Sequence, residues 1–363
     1  MTKSATSQNP LKQALAHGQS LWYDGLISNA EFEKMIREDG VRGATTNPTI
    51  LEKAISSGVY DAEIRQLAKS HSDEQIYEVL AVRAVQQVAD LFKSVFDETR
   101  GLDGYVSIEV SPLLAYDSNK TIEEAKRLHR LVDRKNVMIK IPATHGGLAA
   151  IEAVLTEGIN VNVTLIFSLS RYREVMNAYI SALEKRASAN RDISSLSSVA
   201  SFFVSRVDTA IDKELEKKSE AKALSGKIGI ANSKAAYKEF LNVFASPRFG
   251  KLKSAGAMVQ RPLWASTGTK NPQYSDVLYV EELMGADTVN TIPPATMDAF
   301  RDHGQADSRL QNGLDSALHA LEELQRAGID LDVVTQTLED QGVQLFADSY
   351  KKLLNEIAAR KNK

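Results

Sequence analysis

The chain contains no cysteine, which removes disulfides, thiolate catalysis and sulfur-ligated metals together. Its six histidines are scattered, and no two stand at metal-ligand spacing on a helix, so no metal is expected. Charge of one sign is also missing: 44 Lys and Arg against 47 Asp and Glu leave −3, which implies neither nucleic acid nor an anionic membrane as a bulk partner. Residues 1–10 are polar, without the apolar core of a signal peptide, and no later run approaches the roughly 18 apolar residues of a membrane span. A cytoplasmic protein is expected.

What the chain does have is apolar material for a large core, 43% of 363 residues. Eight short strand-like runs recur, at 20–26, 41–47, 104–110, 137–142, 159–167, 197–206, 262–266 and 288–293. Between and around them lie helical stretches at 8–18, 28–39, 59–70, 73–96, 121–134, 146–156, 170–187, 207–219, 227–244 and 275–284. Regular alternation predicts an α/β fold, a parallel sheet closed into a (β/α)8 barrel, as one domain over 1–363. A doubly wound open sheet is the alternative, but no Gly-x-Gly-x-x-Gly follows the first run. The excess over about 250 residues for an ordinary barrel is assigned to a helical insertion at 227–253 and to extra terminal helices. Two helices within 310–360 are expected to pack on the barrel. Thr121 and Glu124 have capping-box spacing and predict a helix start there.

The fourth run carries the main chemical signal. Five of the six residues 137–142 are apolar, as in a strand covered on both faces, and the exception is Lys140. An ammonium taken out of water without a partner costs several kcal/mol, and the usual relief is to shed the proton. At a reference pKa of about 10.4 only roughly one free lysine in 2,500 is neutral at pH 7, so burial is what turns such a side chain into a nucleophile. Pro142, with no N–H, ends the strand. A strand-end lysine reaching to water is the bland alternative.

Further polar residues sit near the C-terminal halves of these runs. Asp24 ends the first, where it could equally cap the helix at 28–39, and Asn47 could be only a cap for a helix opened by Pro48. Glu109 lies inside an apolar run and needs a partner or a raised pKa. Asn162 and Thr164 share parity, with Val161, Val163 and Leu165 on the opposite face. Asn162-Val-Thr also matches a glycosylation sequon, discarded because it falls within a strand and no signal peptide precedes it. Arg206 is read as the C-terminal end of the sixth strand, and Thr-Gly-Thr-Lys at 267–270 is a donor-rich loop lacking the upstream glycine of a P-loop.

In a barrel these ends share one rim, gathering Asp24, Asn47, Glu109, Lys140, Thr164, Ser201, Arg206 and Lys270. A buried amine with two carboxylates suits Schiff-base carbon–carbon chemistry on a ketose, and Arg206 with the 266–270 loop suits a phosphate. The two carboxylates favour the charged ammonium, so burial or a protonated Glu109 must offset them.

The motifs Trp-Tyr-Asp-Gly at 22–25, Gly-Ala-Thr-Thr-Asn-Pro at 43–48, Ser-Ile-Glu-Val at 107–110, Ile-Lys-Ile-Pro-Ala-Thr at 139–144, the run 158–167 and Ser205-Arg206 together resemble the transaldolase family from about 21 to 294. The resemblance implies a transferase of the non-oxidative pentose phosphate pathway, moving a dihydroxyacetone unit between phosphorylated sugars without metal or organic cofactor, as a monomer or homodimer. It implies Lys140 as the Schiff-base lysine, Asp24 as acid/base for aldol cleavage, and Glu109 with Thr164 and a water as a proton shuttle. Asn47, Asn162 and Ser201 would bind substrate hydroxyls, Thr45 would line the site, and Arg206 and Ser266 would bind phosphate beside Phe203. Where better-known members place an arginine shortly after the serine, this chain has Lys270, a point charge without the bidentate fork. A fructose 6-phosphate aldolase of the same barrel type, a pyridoxal-phosphate enzyme and a non-catalytic binding barrel are the competing readings.

Overall fold

The computed structural model describes residues 9–361, so the expected helix start at Gln8 lies outside the described residues. Eight parallel strands close on themselves in sequence order: β1 Gln19–Asp24, β2 Gly43–Thr45, β3 Val106–Glu109, β4 Val137–Pro142, β5 Val161–Ile166, β6 Ser198–Phe203, β7 Arg261–Ala265 and β8 Thr288–Ile292. β1 pairs with both β2 and β8, which completes the (β/α)8 TIM barrel. Alternation then sets the interior: Trp22, Met138, Val199, Leu263 and Val289 point inward, none with any exposure, and plug the barrel's middle. Below them, away from the rim, a buried Arg261–Asp103 ion pair at 2.8 Å closes the floor, with Arg261 also donating to Ser20 Oγ.

Local chemistry explains most element boundaries. Capping boxes start the helices at Ser28–Glu31 and Ser72–Gln75, and Pro48, Pro247 and Pro294 stand at the first helical turn of Pro48–Ser56, Pro247–Ser254 and Pro294–His303. The expected start at Thr121 is corrected. Asp117 caps the helix Ser118–Val132, and Thr121 lies inside it, its hydroxyl turned back to donate to Leu114 O.

Two further corrections concern the rim. The sixth strand stops at Phe203, and Arg206 belongs to the first turn of the helix Ser205–Leu215. In β5 the pairing with β6 slips between Val163 and Ile166, and Leu165 takes a left-handed φ of 60°. The bulge breaks strict alternation. Leu165 therefore packs over the rim against the C-terminal helix, where a Cβ on Gly342 would come within 2.9 Å of Leu165 Cδ2.

That helix, Leu331–Arg360, crosses the C-terminal face of the barrel and packs on Pro48–Ser56, Asp73–Leu91 and Ser205–Leu215. Arg171–Glu339 at 3.1 Å, Thr49–Ser349 at 2.9 Å and Arg360–Asp61 at 2.6 Å tie it down at both ends and in the middle. Leu314–Arg326 packs on Ile228–Phe244 outside the strands.

Candidate active site

At the rim, beneath the C-terminal helix, a cavity of about 340 Å³ is lined by Asp24, Thr45, Asn47, Lys140, Thr164, Ser201, Phe203, Arg206, Ser266 and Lys270. Ten of the residues singled out from sequence thus meet in one place. The register explains the centre of it: Glu109 on β3 is the direct lateral partner of Lys140 on β4, and both point inward. Lys140 is 6% exposed, its Nζ lies 2.7 Å from Glu109 Oε1, and it donates to Thr46 O at 3.2 Å. The ring of Phe346, from the C-terminal helix, stands 5.8 Å from the amine.

The two carboxylates are biased toward their neutral forms. Burial raises the Glu109 pKa, while the Lys140 charge and hydrogen bond oppose that rise. Burial raises the Asp24 pKa too, against Lys140, the hydrogen bond from Thr45 Oγ1 at 2.7 Å, and Lys270. Two acids that hold protons more tightly than usual flank one amine, the equipment of general acid/base catalysis.

Around them the polar groups form a ladder. Ser201 Oγ donates to Asn162 Oδ1 at 2.7 Å, and Asn162 Nδ2 donates to Ser107 Oγ at 3.0 Å. Asn162 is fully buried beneath the lining and holds Ser201. Thr164 Oγ1 is buried and makes no hydrogen bond among the described residues, which leaves it available to a ligand. Asn47 does both things foreseen for it, accepting from Ile50 N at 3.0 Å as a helix cap while lining the cavity.

The other end of the cavity is cationic. Arg206 sits 5.3 Å over the Phe203 ring, its pKa lowered by burial. Ser266 adopts a left-handed φ of 58°, and its hydroxyl meets that of Ser205 at 2.9 Å. Lys270 and Lys53 also line the cavity, and none of the three cations forms an ion pair among the described residues. Lys53, Thr291 and Phe346 went unread in the sequence, because each is a single residue on an ordinary helix or strand pattern and only the barrel's closure brings it here. Among the described residues, no group of three His, Asp or Glu is arranged to hold a metal ion.

The sequence matches the Transaldolase/Fructose-6-phosphate aldolase family over residues 21–357. The chain belongs to this transaldolase/fructose-6-phosphate aldolase family. Members similar to it include the protein named transaldolase in Mycolicibacterium smegmatis, 48% identical over 96% of this chain and 97% of the relative. The transaldolase of Thermobifida fusca is 46% identical over 96% and 98% respectively, and that of Mycobacterium tuberculosis is 47% identical over 98% of each. The family match extends through the helix that carries Phe346, beyond the 21–294 span in which the sequence motifs were read.

Proposed function

We propose that the protein is a transaldolase, transferring a dihydroxyacetone unit from sedoheptulose 7-phosphate to glyceraldehyde 3-phosphate to give erythrose 4-phosphate and fructose 6-phosphate. The observation that supports this best is a buried amine 2.7 Å from a carboxylate, in a cavity whose far end holds three cations that form no ion pair among the described residues. Lys140 passes its proton to Glu109, 2.7 Å away, and attacks the donor ketone as the free amine. Glu109, next to it and to the free hydroxyl of Thr164, delivers the proton that lets water leave the carbinolamine. The iminium is then the electron sink. Asp24 takes the proton from the hydroxyl beyond the scissile bond, the carbon–carbon pair flows into the iminium, and the aldehyde fragment departs as the enamine forms. The same steps reversed on the acceptor aldehyde restore the carbon bond and return the proton, and hydrolysis through Glu109 frees Lys140.

Thr45, Asn47 and Ser201, the last held by Asn162, bind the sugar hydroxyls. Arg206, Ser266, Lys270 and the unforeseen Lys53 take the phosphate, with Phe203 beneath Arg206. The reading also carries a cytoplasmic location and a monomer or homodimer, which size-exclusion chromatography with light scattering checks. The decisive experiment is borohydride trapping with fructose 6-phosphate followed by peptide mapping. The adduct belongs on Lys140, and Lys140→Met abolishes it; a stoichiometric adduct in that variant places the nucleophile elsewhere. Product formation that requires an acceptor aldehyde separates transfer from simple aldol cleavage.

A further inference from the structure

Two carboxylates one turn apart on the helix Ser205–Leu215 are used in the same way. Asp208 Oδ1 accepts from Gly229 N at 2.6 Å, and Asp212 Oδ1 accepts from Gly226 N at 2.9 Å. Each also faces a tyrosine from the segment after β7: Tyr274 Oη donates to Asp212 Oδ2 at 2.7 Å, and the Tyr279 hydroxyl lies beside Asp208. Gly226 has φ of 71°, and a Cβ there would fall 2.7 Å from Tyr274 Cζ, so glycine is what lets the ring lie against the backbone. The helix that carries these carboxylates holds Arg206 in its first turn, and the segment that carries Tyr274 carries Lys270 four residues earlier.

Arg206 and Lys270 thus come from two elements whose relative placement depends on what joins them. Near the barrel the join is Ser205 N to Ser266 O at 3.1 Å with the paired serine hydroxyls. At the far end it is Tyr274 on Asp212. The loop between is closed on itself, Thr269 Oγ1 donating to Ser275 O at 2.8 Å and Tyr274 N to Asn271 O at 3.1 Å, so a constraint at 274 reaches Lys270. We infer that Asp212 and Tyr274 are positioning residues that hold the Lys270 loop against the Arg206 helix, and thereby set the preference for phosphorylated substrates. The inference rests on the assignment of Arg206 and Lys270 to the phosphate.

The test is Tyr274→Phe, which removes one hydroxyl and keeps the ring on Gly226. KM for glyceraldehyde 3-phosphate should rise about tenfold with kcat within about twofold, the effect of one charge-assisted hydrogen bond. With unphosphorylated glyceraldehyde as acceptor, kcat/KM should stay unchanged. In a Lys270→Ala background the same substitution should add less than about twofold, because the hydroxyl acts through that lysine. Asp212→Asn, which keeps the oxygen for Gly226 N–H, provides a second variant with a smaller rise in KM. An unmoved KM, an equal loss with the unphosphorylated aldehyde, or an undiminished effect on Lys270→Ala would overturn the inference. If Arg206→Ala itself leaves KM for the phosphorylated aldehyde unmoved, the phosphate assignment fails instead.

Discussion

Removing one member of the Lys140–Glu109 pair should destabilise the fold far more than removing both. At 2.7 Å, and with an effective dielectric constant near 20, the attraction is about 6 kcal/mol. Against it stands the desolvation of two ions whose side chains are each 7% exposed, several kcal/mol apiece. The near-cancellation means that the intact pair contributes little net stability, whereas Lys140→Met or Glu109→Gln strands a buried charge and should cost about 3–5 kcal/mol. The double variant, which buries no charge, should recover most of that loss. Urea denaturation of the four proteins at pH 7.5 measures the coupling directly. The pH dependence of Lys140→Met adds a check of sign. Burial already raises the Glu109 pKa, and the lysine charge is the main force opposing it, so deleting the lysine raises it further. The folded variant then binds the proton more tightly than the unfolded chain, and its stability falls as pH rises from the ordinary carboxylate range through the raised value. The penalty at pH 7.5 should therefore shrink on acidification. Single variants as stable as the parent, with a double variant showing the simple sum, would mean that the amine is solvated, and the Schiff-base assignment would lose its physical basis.

Other outcomes follow from the same geometry. Asp24→Ala should still give the borohydride adduct yet turn over at least about a hundredfold more slowly, and normal turnover would remove Asp24 from acid/base work. Phe346→Ala opens the wall 5.8 Å from the amine, so release of free dihydroxyacetone should rise relative to transfer, measured with and without acceptor; an unchanged ratio would show that this ring does not keep water from the intermediate. Asp208, whose pKa burial pushes up to about 6, loses stability as pH rises through that value, because the folded state holds its proton when the unfolded chain has already lost it. Asp208→Asn, which keeps an oxygen for Gly229 N–H, should therefore be more stable than the parent by about 1–3 kcal/mol at pH 7.5 and no different below about pH 4 in thermal melts.

Sequence alone carried the eight apolar runs, their alternation with helices, and a lysine in the middle of one of them, because strand and helix periodicities and burial preferences are local properties of the chain. It also placed Asp24, Glu109 and Lys140 at one rim, since every strand in a parallel barrel ends on the same side. Errors arose where two local signals competed. Arg206 follows a continuous β-like stretch, yet Ser205 and Arg206 begin a helix packed on β7's loop, and Thr121 has a capping spacing that Asp117, four residues earlier, pre-empts. Strict alternation put Leu165 on the outer face with Val163, and a bulge of one residue turned it toward Gly342 of a helix far along the chain.

What only the tertiary structure decided is which distant groups share the cavity's electrostatics and walls. Lys53 and Phe346 lie on helices with unexceptional patterns, and they reach the amine's cavity because barrel closure and the docking of Leu331–Arg360 bring them there. The proton bias of Asp24 and Glu109 is likewise a property of burial and neighbours, since the free energy of a charge depends on the dielectric around it and the ions across from it, neither of which is written in the chain's local order.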